Sequence, residues 1–440
     1  MKRHSAALYI VFLIASCCAT AQTWTHYTAQ NSGITSNSVL AVTPDPRGNL
    51  YVGTTQGLSR FKDGNWTDYA DLNEKLKNQF VNCLVVEGNT LWIGTDDYGV
   101  IEFSNGRWYE HSEETRRLNM KYIRDIAIDH AGVKWIGVTL SGFVQYDGNN
   151  WYKFTVTDSE LLSDFILCVV VDNRDRKWVG TNDGLCVYDG RRWTSYTTKN
   201  SKLPHNICLS VAIDRDNVKW IGTLEGLCRF DGENWKIFNI DNSPIPGNQV
   251  NDLAFDAEGH LWMATDGGVA VFDGQDQWDV FSAGNQLPRC MYQNLAIDRQ
   301  GSVWVGTDDK GLFCLSGYKM AVAPDPAQLA EAASDNQEQT ASAAVSQGGG
   351  NSKTTDNKAD SAPADDRVRL IPNLEEGYLE IQMNSPEAEV TFFNAKGEKV
   401  RTVPKYRQGS HINIAKMKKG SYTVKVKTAS GTRSVKFTLK

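Results

Sequence analysis

Acidic and polar side chains recur shortly after a Gly-Thr or Ala-Thr dipeptide, and they are the candidates for chemistry in this sequence. Carboxylates in such loops could hydrogen-bond the hydroxyls of a sugar, bind a cation or serve as a general acid and base. Other polar candidates lie in the longer segments that precede strand-like runs. The predicted ligand-binding set is Asp96, Asp97, Asn182, Asp183, His205, Glu225, Asp266, Arg289, Tyr292, Asp308, Asp309 and Lys310.

Established reaction motifs are absent, since the sequence contains no HExxH, GxSxG, P-loop or CxxC pattern. Seven cysteines follow residue 22, an odd number, and most lie inside apolar runs such as 167–170. We therefore expect buried free thiols rather than a disulfide framework. The sequence predicts no catalytic residue, no metal site and no cofactor.

A repeat of about 42 residues must position the candidates. A motif of the type Trp-Val-Gly-Thr occurs seven times, from Tyr51 to Trp304, at spacings of 41 to 43 residues. A second motif, Trp-x-x-aromatic, also occurs seven times, from Trp24 to Trp278. Four short strand-like runs per period are typical of one propeller blade, which must stack against neighbours to bury its faces. The sequence thus predicts an all-β fold with a seven-bladed β-propeller over residues 22–320.

The seventh repeat has only three strand-like runs, because no Trp-x-x-aromatic segment follows Trp304. Residues 24–27 hold such a segment at the other end of the chain. We expect this N-terminal strand to pair into the seventh blade, near Phe313, and to close the ring, which removes an unpaired edge. All 13 tryptophans belong to the two motifs, so we interpret them as packing residues rather than sugar-binding platforms.

An aspartate recurs at the end of the first strand-like run in six repeats. Its recurrence predicts a turn in which the carboxylate accepts hydrogen bonds from nearby backbone amides. Because strands alternate in direction, the candidate set should lie at the opposite end of each blade, around the central channel. The recurring aspartates are Asp45, Asp129, Asp172, Asp214, Asp256 and Asp298.

The repeat resembles the two-component regulator propeller repeat, most clearly in Val218-Lys219-Trp220-Ile221-Gly222-Thr223, Glu225-Gly226-Leu227 and Phe230-Asp231-Gly232. The resemblance extends over residues 23–318. It implies a propeller of the kind that forms periplasmic sensors of hybrid histidine kinases and binds carbohydrate-type ligands. The sequence has no second propeller, kinase or helix-turn-helix segment, so the resemblance supports a fold and a ligand-binding role rather than signal transduction.

Composition changes sharply over residues 321–367, which are rich in Ala, Ser, Gln, Asp and Gly and lack aromatic residues. Such a segment is expected to be a flexible linker. Alternating apolar and polar residues return over 368–440 and predict a small β-sandwich. This segment carries 14 Lys and Arg against 6 Asp and Glu, although the whole chain has a formal charge of −6.

The C-terminal segment resembles the sorting domain of type IX secretion substrates in Bacteroidota. The likeness lies in Ile371-Pro372-Asn373, Asn394-Ala395-Lys396-Gly397, Met417 to Tyr422 and the basic ending Lys436 to Lys440. Leu374 departs from it, because the family usually has a second proline there. The resemblance implies contact with the secretion machinery, transport across the outer membrane and attachment to the cell surface. An accessory β-sandwich used for adhesion or packing is the alternative.

The N-terminus has the features of an export signal. A basic start precedes an apolar run over 6–15, which is too short to cross a bilayer. Small residues at Ala19 and Ala21 then predict cleavage of a signal peptide at 1–21. The alternative is a lipoprotein acylated at Cys17. Either way we expect no transmembrane span in the mature chain.

The sequence favours one function class and leaves two others open. A net negative charge gives no reason to expect a nucleic-acid partner. The leading interpretation is an exported ligand-binding propeller at the extracellular or outer-membrane surface, or in the periplasm, with a glycan or protein partner. One alternative is a sensor component that feeds a separate two-component kinase. The other is a glycan-active enzyme that uses acidic residues of the propeller face.

Overall fold

The computed structural model describes residues 22–320, apart from 70, 284 and 285, and most of 369–439. The predicted signal peptide at 1–21, which includes Cys17, and the predicted linker at 321–367 lie outside the described residues. The chain divides into two compact units, Met1–Val322 and Ala323–Lys440. In the second unit the described segments are 369–373, 378–382, 387–394, 396, 398–407, 411–414, 417–428 and 431–439.

Strands form almost all of the regular structure in the described residues, which confirms the predicted all-β class. One 3-10 helix, Glu74–Leu76, and one α-helix, α1 (Ser112–Leu118), are the exceptions in this part of the chain. The predicted state of the cysteines is also confirmed, because the seven described cysteines are free thiols. Six of them are buried, and Cys290 is half-buried.

The strands of the first unit form seven sheets within residues 22–320. After β1 (Thr23–Tyr27), sheet 1 contains β2 (Val39–Pro44), β3 (Leu50–Thr54), β4 (Gly57–Lys62) and β5 (Asn65–Asp68), and sheet 2 contains β6 (Val81–Glu87), β7 (Thr90–Thr95), β8 (Val100–Ser104) and β9 (Arg107–Glu110). Sheet 3 contains β10 (Ile123–Ile128), β11 (Lys134–Val138), β12 (Gly142–Tyr146) and β13 (Trp151–Phe154), and sheet 4 contains β14 (Ile166–Val171), β15 (Lys177–Thr181), β16 (Leu185–Tyr188) and β17 (Trp193–Tyr196). Sheet 5 contains β18 (Cys208–Ile213), β19 (Lys219–Thr223), β20 (Gly226–Phe230) and β21 (Trp235–Phe238), and sheet 6 contains β22 (Val250–Phe255), β23 (Leu261–Thr265), β24 (Gly268–Phe272), β25 (Trp278–Ala283) and β26 (Gln286–Leu287). Sheet 7 contains β27 (Tyr292–Ile297), β28 (Val303–Thr307) and β29 (Leu312–Ser316), together with β1.

The first strand of each sheet carries one break in register of the β-bulge type. In sheet 1 the break falls between Val39 and Ala41, and Ala41 then faces Gly53 of the Trp-Val-Gly-Thr-type motif. A methyl group on Gly53 would lie 2.6 Å from the carbonyl oxygen of Val81 in sheet 2. Glycine therefore recurs in the motif because the first strand of the next sheet packs directly on its backbone.

The first strands of the seven sheets contact one another in cyclic order. Contacts join neighbours from β2 through β6, β10, β14, β18 and β22 to β27, and β27 also contacts β2. At that last junction the side-chain amide of Asn294 donates to the carbonyl of Val39 at 2.8 Å. Strand β1 pairs antiparallel with β29, where His26 lies opposite Phe313. Each sheet is open, so contacts between sheets, rather than one continuous ladder, hold the unit together.

The recurring aspartates form the predicted turns and also hold the tryptophans. Asp172 accepts the backbone N–H groups of Arg174 at 2.9 Å and Arg176 at 3.0 Å, and its second oxygen accepts the indole N–H of Trp178 at 3.0 Å. Burial alone would raise the pKa of Asp172, but these hydrogen bonds, together with one from the Arg176 guanidinium at 2.8 Å, outweigh it and hold the pKa well below its usual range. The same three hydrogen bonds recur at Asp129, Asp214, Asp256 and Asp298.

Two sheets in the described part of the second unit share one apolar core. The core includes Leu379, Val390, Phe392 and Val424, and the Tyr406 hydroxyl within it accepts the N–H of Ile381 at 2.7 Å. One sheet has the order β30 (Arg369–Asn373), β31 (Tyr378–Gln382) and β34 (His411–Asn413). The other has the order β33 (Lys399–Arg407), β32 (Glu387–Phe393), β35 (Gly420–Thr428) and β36 (Gly431–Leu439).

We call the hydrogen bonds that join a recurring aspartate to its turn and its tryptophan the clamp. Replacing one clamp aspartate should destabilise the first unit. We expect Asp172→Asn to lower the unfolding free energy by about 2–3 kcal/mol, because an amide nitrogen placed toward Trp178 leaves a buried indole N–H unpaired. The measurement is chemical denaturation of the full chain. Asp189→Asn is the matched control, since Asp189 accepts two backbone N–H groups in an exposed turn of the same sheet. Equal losses in both variants would contradict the clamp.

Candidate ligand-binding face

The candidates after each Gly-Thr lie at one end of the sheets, together with the segments that precede the first strands. The N–H of Asp96 donates to the carbonyl of Phe80, just before β6, at 3.3 Å. Asp266 and Asp308 make the same bond to Gln249 and Met291, both at 3.1 Å. We call this end the loop face, defined by the loops between second and third strands and the segments that precede first strands.

Four of the predicted residues are tied into the structure of the loop face. The Asp266 and Asp308 carboxylates each accept a backbone N–H from the residue before the first strand, both at 3.2 Å. Asp96 accepts the side-chain amide of Asn82 at 2.6 Å. Asn182 has a buried side-chain oxygen for which the structure gives no hydrogen-bond partner. The hydrogen-bonded carboxylates therefore help to shape the loops, although Asp266 is also exposed.

Four other predicted carboxylates are exposed on the same loops, at Asp97, Asp183, Glu225 and Asp309. The backbone N–H groups of Asp183 and Glu225 donate to the threonine hydroxyl of their own Gly-Thr motif, at 3.0 and 3.2 Å, which fixes each loop. Asp97 lies 3.8 Å from the Lys121 ammonium. Asp309 pairs with its neighbour Lys310, another predicted residue, at 2.6 Å. A ligand can reach these side chains, as it can the exposed Asp266.

The remaining three predicted residues have different environments. His205 accepts the N–H of Ile207 through Nδ1 at 3.0 Å, and Arg289 is exposed. Tyr292 is fully buried, and its hydroxyl donates to the carbonyl of Pro288. Tyr292 therefore leaves the candidate set, because the start of a first strand faces the core rather than the solvent. The glycan-active enzyme built on these acidic residues stays a prediction.

Sequence reasoning missed an apolar surface on the loop face of sheets 2 and 3. Phe80, Tyr98, Tyr122 and Leu140 have between 42% and 67% of their surface exposed. The backbone of Asp96 links Phe80 to Tyr122, because its N–H donates to the carbonyl of Phe80 and its carbonyl accepts the N–H of Tyr122 at 2.8 Å. We call these four residues the aromatic surface. Large apolar groups that are exposed on one face are typical of interaction sites.

Backbone geometry also distinguishes this surface. Tyr122 has a φ of 59° and Leu140 a φ of 66°, in the left-handed region that bulky residues rarely adopt. The surrounding hydrogen bonds enforce this geometry, since the Tyr122 carbonyl accepts the N–H of Thr139 at 3.0 Å. Strained residues of this kind cluster at functional sites. No motif signalled these positions, because aromatic residues elsewhere in the repeat are packing residues.

Two carboxylates on the innermost strands were also missed. Asp125 and Asp252 occupy equivalent positions after the bulges of β10 and β22, and each accepts two backbone N–H groups. One N–H group comes from the aspartate's own strand. The other comes from the next sheet, from Val169 to Asp125 at 2.7 Å and from Leu295 to Asp252 at 2.8 Å. Although each side chain keeps some accessible surface, the surrounding protein desolvates it and raises the pKa to about 6 for Asp125 and about 7 for Asp252. The Asp125 charge contributes to the shift at Asp252, while Arg124 opposes both shifts.

Stability should therefore depend on pH through these two groups. Their folded pKa values exceed the value of about 3.9 for an unfolded aspartate, so ionisation opposes folding. The unfolding free energy should fall as pH rises from about 4 to 7. Each carboxyl contributes a slope of about 1.4 kcal/mol per pH unit between its unfolded pKa and its folded pKa. Chemical denaturation at several pH values measures this slope.

We expect Asp252→Asn to flatten that slope, because the amide cannot ionise. Asp309→Asn is the control, since Asp309 is exposed and should leave the slope unchanged. An Asp252→Asn variant with the wild-type slope would contradict the assignment.

Comparison with known families gives matches in both parts of the chain. Residues 369–440 match the family described as the secretion system C-terminal sorting domain. Residues 33–56 and 244–267 match the two component regulator propeller. These two segments occupy equivalent positions, because each runs from before the first strand of its sheet to the loop after the second. Both resemblances inferred from the sequence are therefore confirmed, and no curated protein matches the chain.

Solved structures share the fold at low sequence identity. The extracellular domain described as the hybrid two component system BT3049 from B. thetaiotaomicron has a TM-score of 0.61 and 17% identity, over 94% of this chain and 57% of that one. PorZ, a bacterial surface component of the type IX secretion system of Porphyromonas gingivalis, has a TM-score of 0.54 and 14% identity, over 92% and 60%. Virginiamycin B lyase from Staphylococcus aureus has a TM-score of 0.55 and 11% identity, over 67% and 99%.

These matches support a propeller fold for the first unit and a sorting domain at the C-terminus. The tail links the chain to the secretion machinery and indicates export to the cell surface or outer membrane, as predicted. The chain spans only a little over half the length of the two-component relatives. Among the described residues, no helix has the length and apolar character needed to cross a membrane. The same residues hold no cluster of three or more His, Cys, Asp or Glu side chains suited to a metal ion.

Proposed function

We propose that the chain is an exported interaction module that binds an extracellular glycan or protein through its loop face. In this proposal residues 22–320 form a closed seven-bladed propeller, 321–367 a linker and 368–440 a β-sandwich for secretion and surface attachment. The observation that carries the proposal is the aromatic surface, an exposed apolar patch on the loop face of a chain with a sorting domain.

The contacts between the first and last sheets support closure of the propeller. Asn294 in sheet 7 donates to Val39 in sheet 1, and a methyl group on Gly306 would lie 2.6 Å from the Val39 side chain. Sheets 7 and 1 thus pack as closely as sheets 1 and 2. Strand β1 covers the edge of β29, which would otherwise expose unpaired backbone groups.

The position of the aromatic surface supports a binding role. Tyr and Phe supply large contact areas at a low cost in side-chain entropy, so they dominate the energetic centres of many interfaces. The exposed Asp97 and its partner Lys121 lie beside this surface and supply polar groups for its rim. The carboxylates of Asp266 and Asp308, in contrast, are already used by the backbone.

A sensor component that feeds a separate kinase is the second candidate. The likeness to an extracellular domain of a two-component system favours it. That kinase would have to contact this chain at the membrane. Crosslinking of the surface-exposed protein followed by mass spectrometry separates the two functions, because only the sensor requires a membrane kinase among the adducts.

Removing the apolar groups of the loop face should abolish ligand binding. We expect Phe80→Ala with Tyr122→Ala to weaken binding at least tenfold on a combined glycan and peptide array, because both rings lie on the proposed contact surface. The full exported chain is the protein to test. Tyr152→Ala is the matched control, since Tyr152 is 51% exposed on β13, outside the loop face. Undiminished binding by the double variant would contradict the proposed surface.

A further inference from the structure

Lysine side chains dominate one face of the four-stranded sheet in the second unit. Side chains alternate between the two faces of a sheet along each strand. Val424 and Val426 of β35 lie in the apolar core, so Lys425 and Lys427 lie on the opposite face, where they are exposed. We call this outer surface the basic face, defined by Lys399, Lys425, Lys427 and Lys436 and the side chains between them.

The strand register spreads these lysines over the whole width of the sheet. Residues directly opposite each other in antiparallel strands lie on the same face. Lys399 of β33 lies opposite Phe393 of β32, and Phe393 lies opposite Thr423 of β35. Thr423 in turn lies opposite Lys436 of β36. The two edge lysines are therefore about 14 Å apart at the backbone, because neighbouring strands are separated by about 4.8 Å.

A depression of about 260 Å³ lies within the basic face. Hydrogen bonds from an ammonium group to a phosphate are short and strong, because both partners are charged. The Thr391 hydroxyl already bonds to that of Thr402 at 3.4 Å, whereas the Thr432 hydroxyl has no partner among the described residues. The lining therefore suits an anionic group with several acceptor oxygens, such as a phosphate. The polar lining residues are Lys399, Lys425, Lys427, Thr391, Thr432 and Glu389.

The described part of the chain does not neutralise the positive charge of the basic face. Glu389 is the one carboxylate among the lining residues and lies opposite Lys427, but the two form no ion pair in the described structure. The Lys425 ammonium lies 4.9 Å from the centre of the Phe393 ring. An aromatic ring attracts an ammonium group without cancelling its charge. The basic face thus keeps an excess of positive charge for a partner.

The chemistry of the basic face favours a phosphate-bearing membrane surface as that partner. Protein interfaces usually have an apolar centre, whereas the Phe393 ring of this face is half-buried and already contacts Lys425. Single-stranded nucleic acid is bound by stacking of its bases on aromatic rings, and the described residues of the face offer no second ring. An anionic bilayer instead presents an extended layer of phosphates, and each lysine near it adds to the attraction.

The location of the chain makes such a surface available. The sorting domain indicates export to the cell surface or outer membrane, where lipid headgroups are exposed. Contact through lysines and hydroxyl groups is electrostatic, so it depends on salt and inserts no apolar side chain among the acyl chains.

We infer that the basic face docks on an anionic lipid surface, with one phosphate headgroup in the depression beside Lys399, Lys425 and Lys427. The inference goes beyond the proposed function, because it concerns a surface of the second unit and does not depend on the loop face.

Vesicle binding by the full exported chain tests the inference. The probes are vesicles of phosphatidylcholine with phosphatidylglycerol and vesicles of phosphatidylcholine alone, compared by co-sedimentation at low and high salt. We expect binding to the anionic vesicles only, and its loss at high salt because counterions screen the lysines. Lys399→Gln with Lys427→Gln should weaken this binding at least tenfold. The thermal midpoint should stay the same, since both side chains are exposed and the contact between Lys425 and Phe393 is kept.

Lys418→Gln with Lys419→Gln is the matched control. Both residues are exposed in the segment before β35, outside the depression, and their replacement removes the same charge from the second unit. The control should bind anionic vesicles as the wild type does. Equal weakening in the two double variants would overturn the basic face as the docking surface, because the attraction would then follow the overall charge of the unit.

Inorganic phosphate and single-stranded DNA separate a lipid surface from other sources of phosphate. At matched ionic strength we expect neither to displace the chain from anionic vesicles. Binding of either probe without binding to anionic vesicles would overturn the membrane as the partner. These results leave glycan or peptide binding by the loop face unaffected, so the inference and the proposed function can fail separately.

Discussion

Close packing of one sheet on the backbone of the next is the constraint on which the first unit depends. The motif glycine, such as Gly53, leaves room for the first strand of the following sheet within van der Waals contact. A large side chain there would push the sheets apart and expose the apolar layers between them, and the one exception to glycine is the small Ala264. In sheets 3 to 7 the clamp between aspartate and tryptophan then fixes the far end of the second strand, so that Trp178 and its equivalents fill the space between sheets.

This regular scaffold allows the loop face to vary. Loops held by a Thr hydroxyl and a backbone bond keep the same path in several sheets, so side chains at their tips can change without cost to the core. Function is then expected where the regularity breaks. The connections into sheets 2 and 3 contain the 3-10 helix and α1, and these sheets have the left-handed Tyr122 and most of the large apolar residues that are exposed in the described part of the chain.

The sequence predicted the features that repeat, because repetition turns a packing requirement into a visible pattern. The spacing of the glycine and tryptophan motifs and the turn role of Asp172 and its equivalents are of this kind. Features that occur once gave no such pattern. Asp125 and Asp252 share their position with Ala41, Cys83 and Ser210 in other sheets, so no recurring residue type marks it.

Burial at single positions was equally hard to predict. Tyr292 is the first residue of β27 and its side chain is fully buried, with its hydroxyl donating to the carbonyl of Pro288. Tyr98 and Tyr122 could not be separated from the many packing aromatics by residue type. Their exposure follows from a longer loop after Thr95 and from a backbone that turns through the left-handed region, which only the three-dimensional arrangement reveals.

The central claim is that the N-terminal strand completes the last sheet and closes the ring. Thr25 lies opposite Cys314 in the pairing of β1 with β29, and facing antiparallel residues have Cα separations of about 4.5–5.5 Å, within the range of a disulfide. Mass spectrometry of oxidised Thr25→Cys protein tests the claim directly. The account predicts a disulfide between positions 25 and 314 and a raised thermal midpoint, because the bond closes a long loop. A folded Thr25→Cys protein in which both thiols stay reduced under oxidising conditions would contradict it.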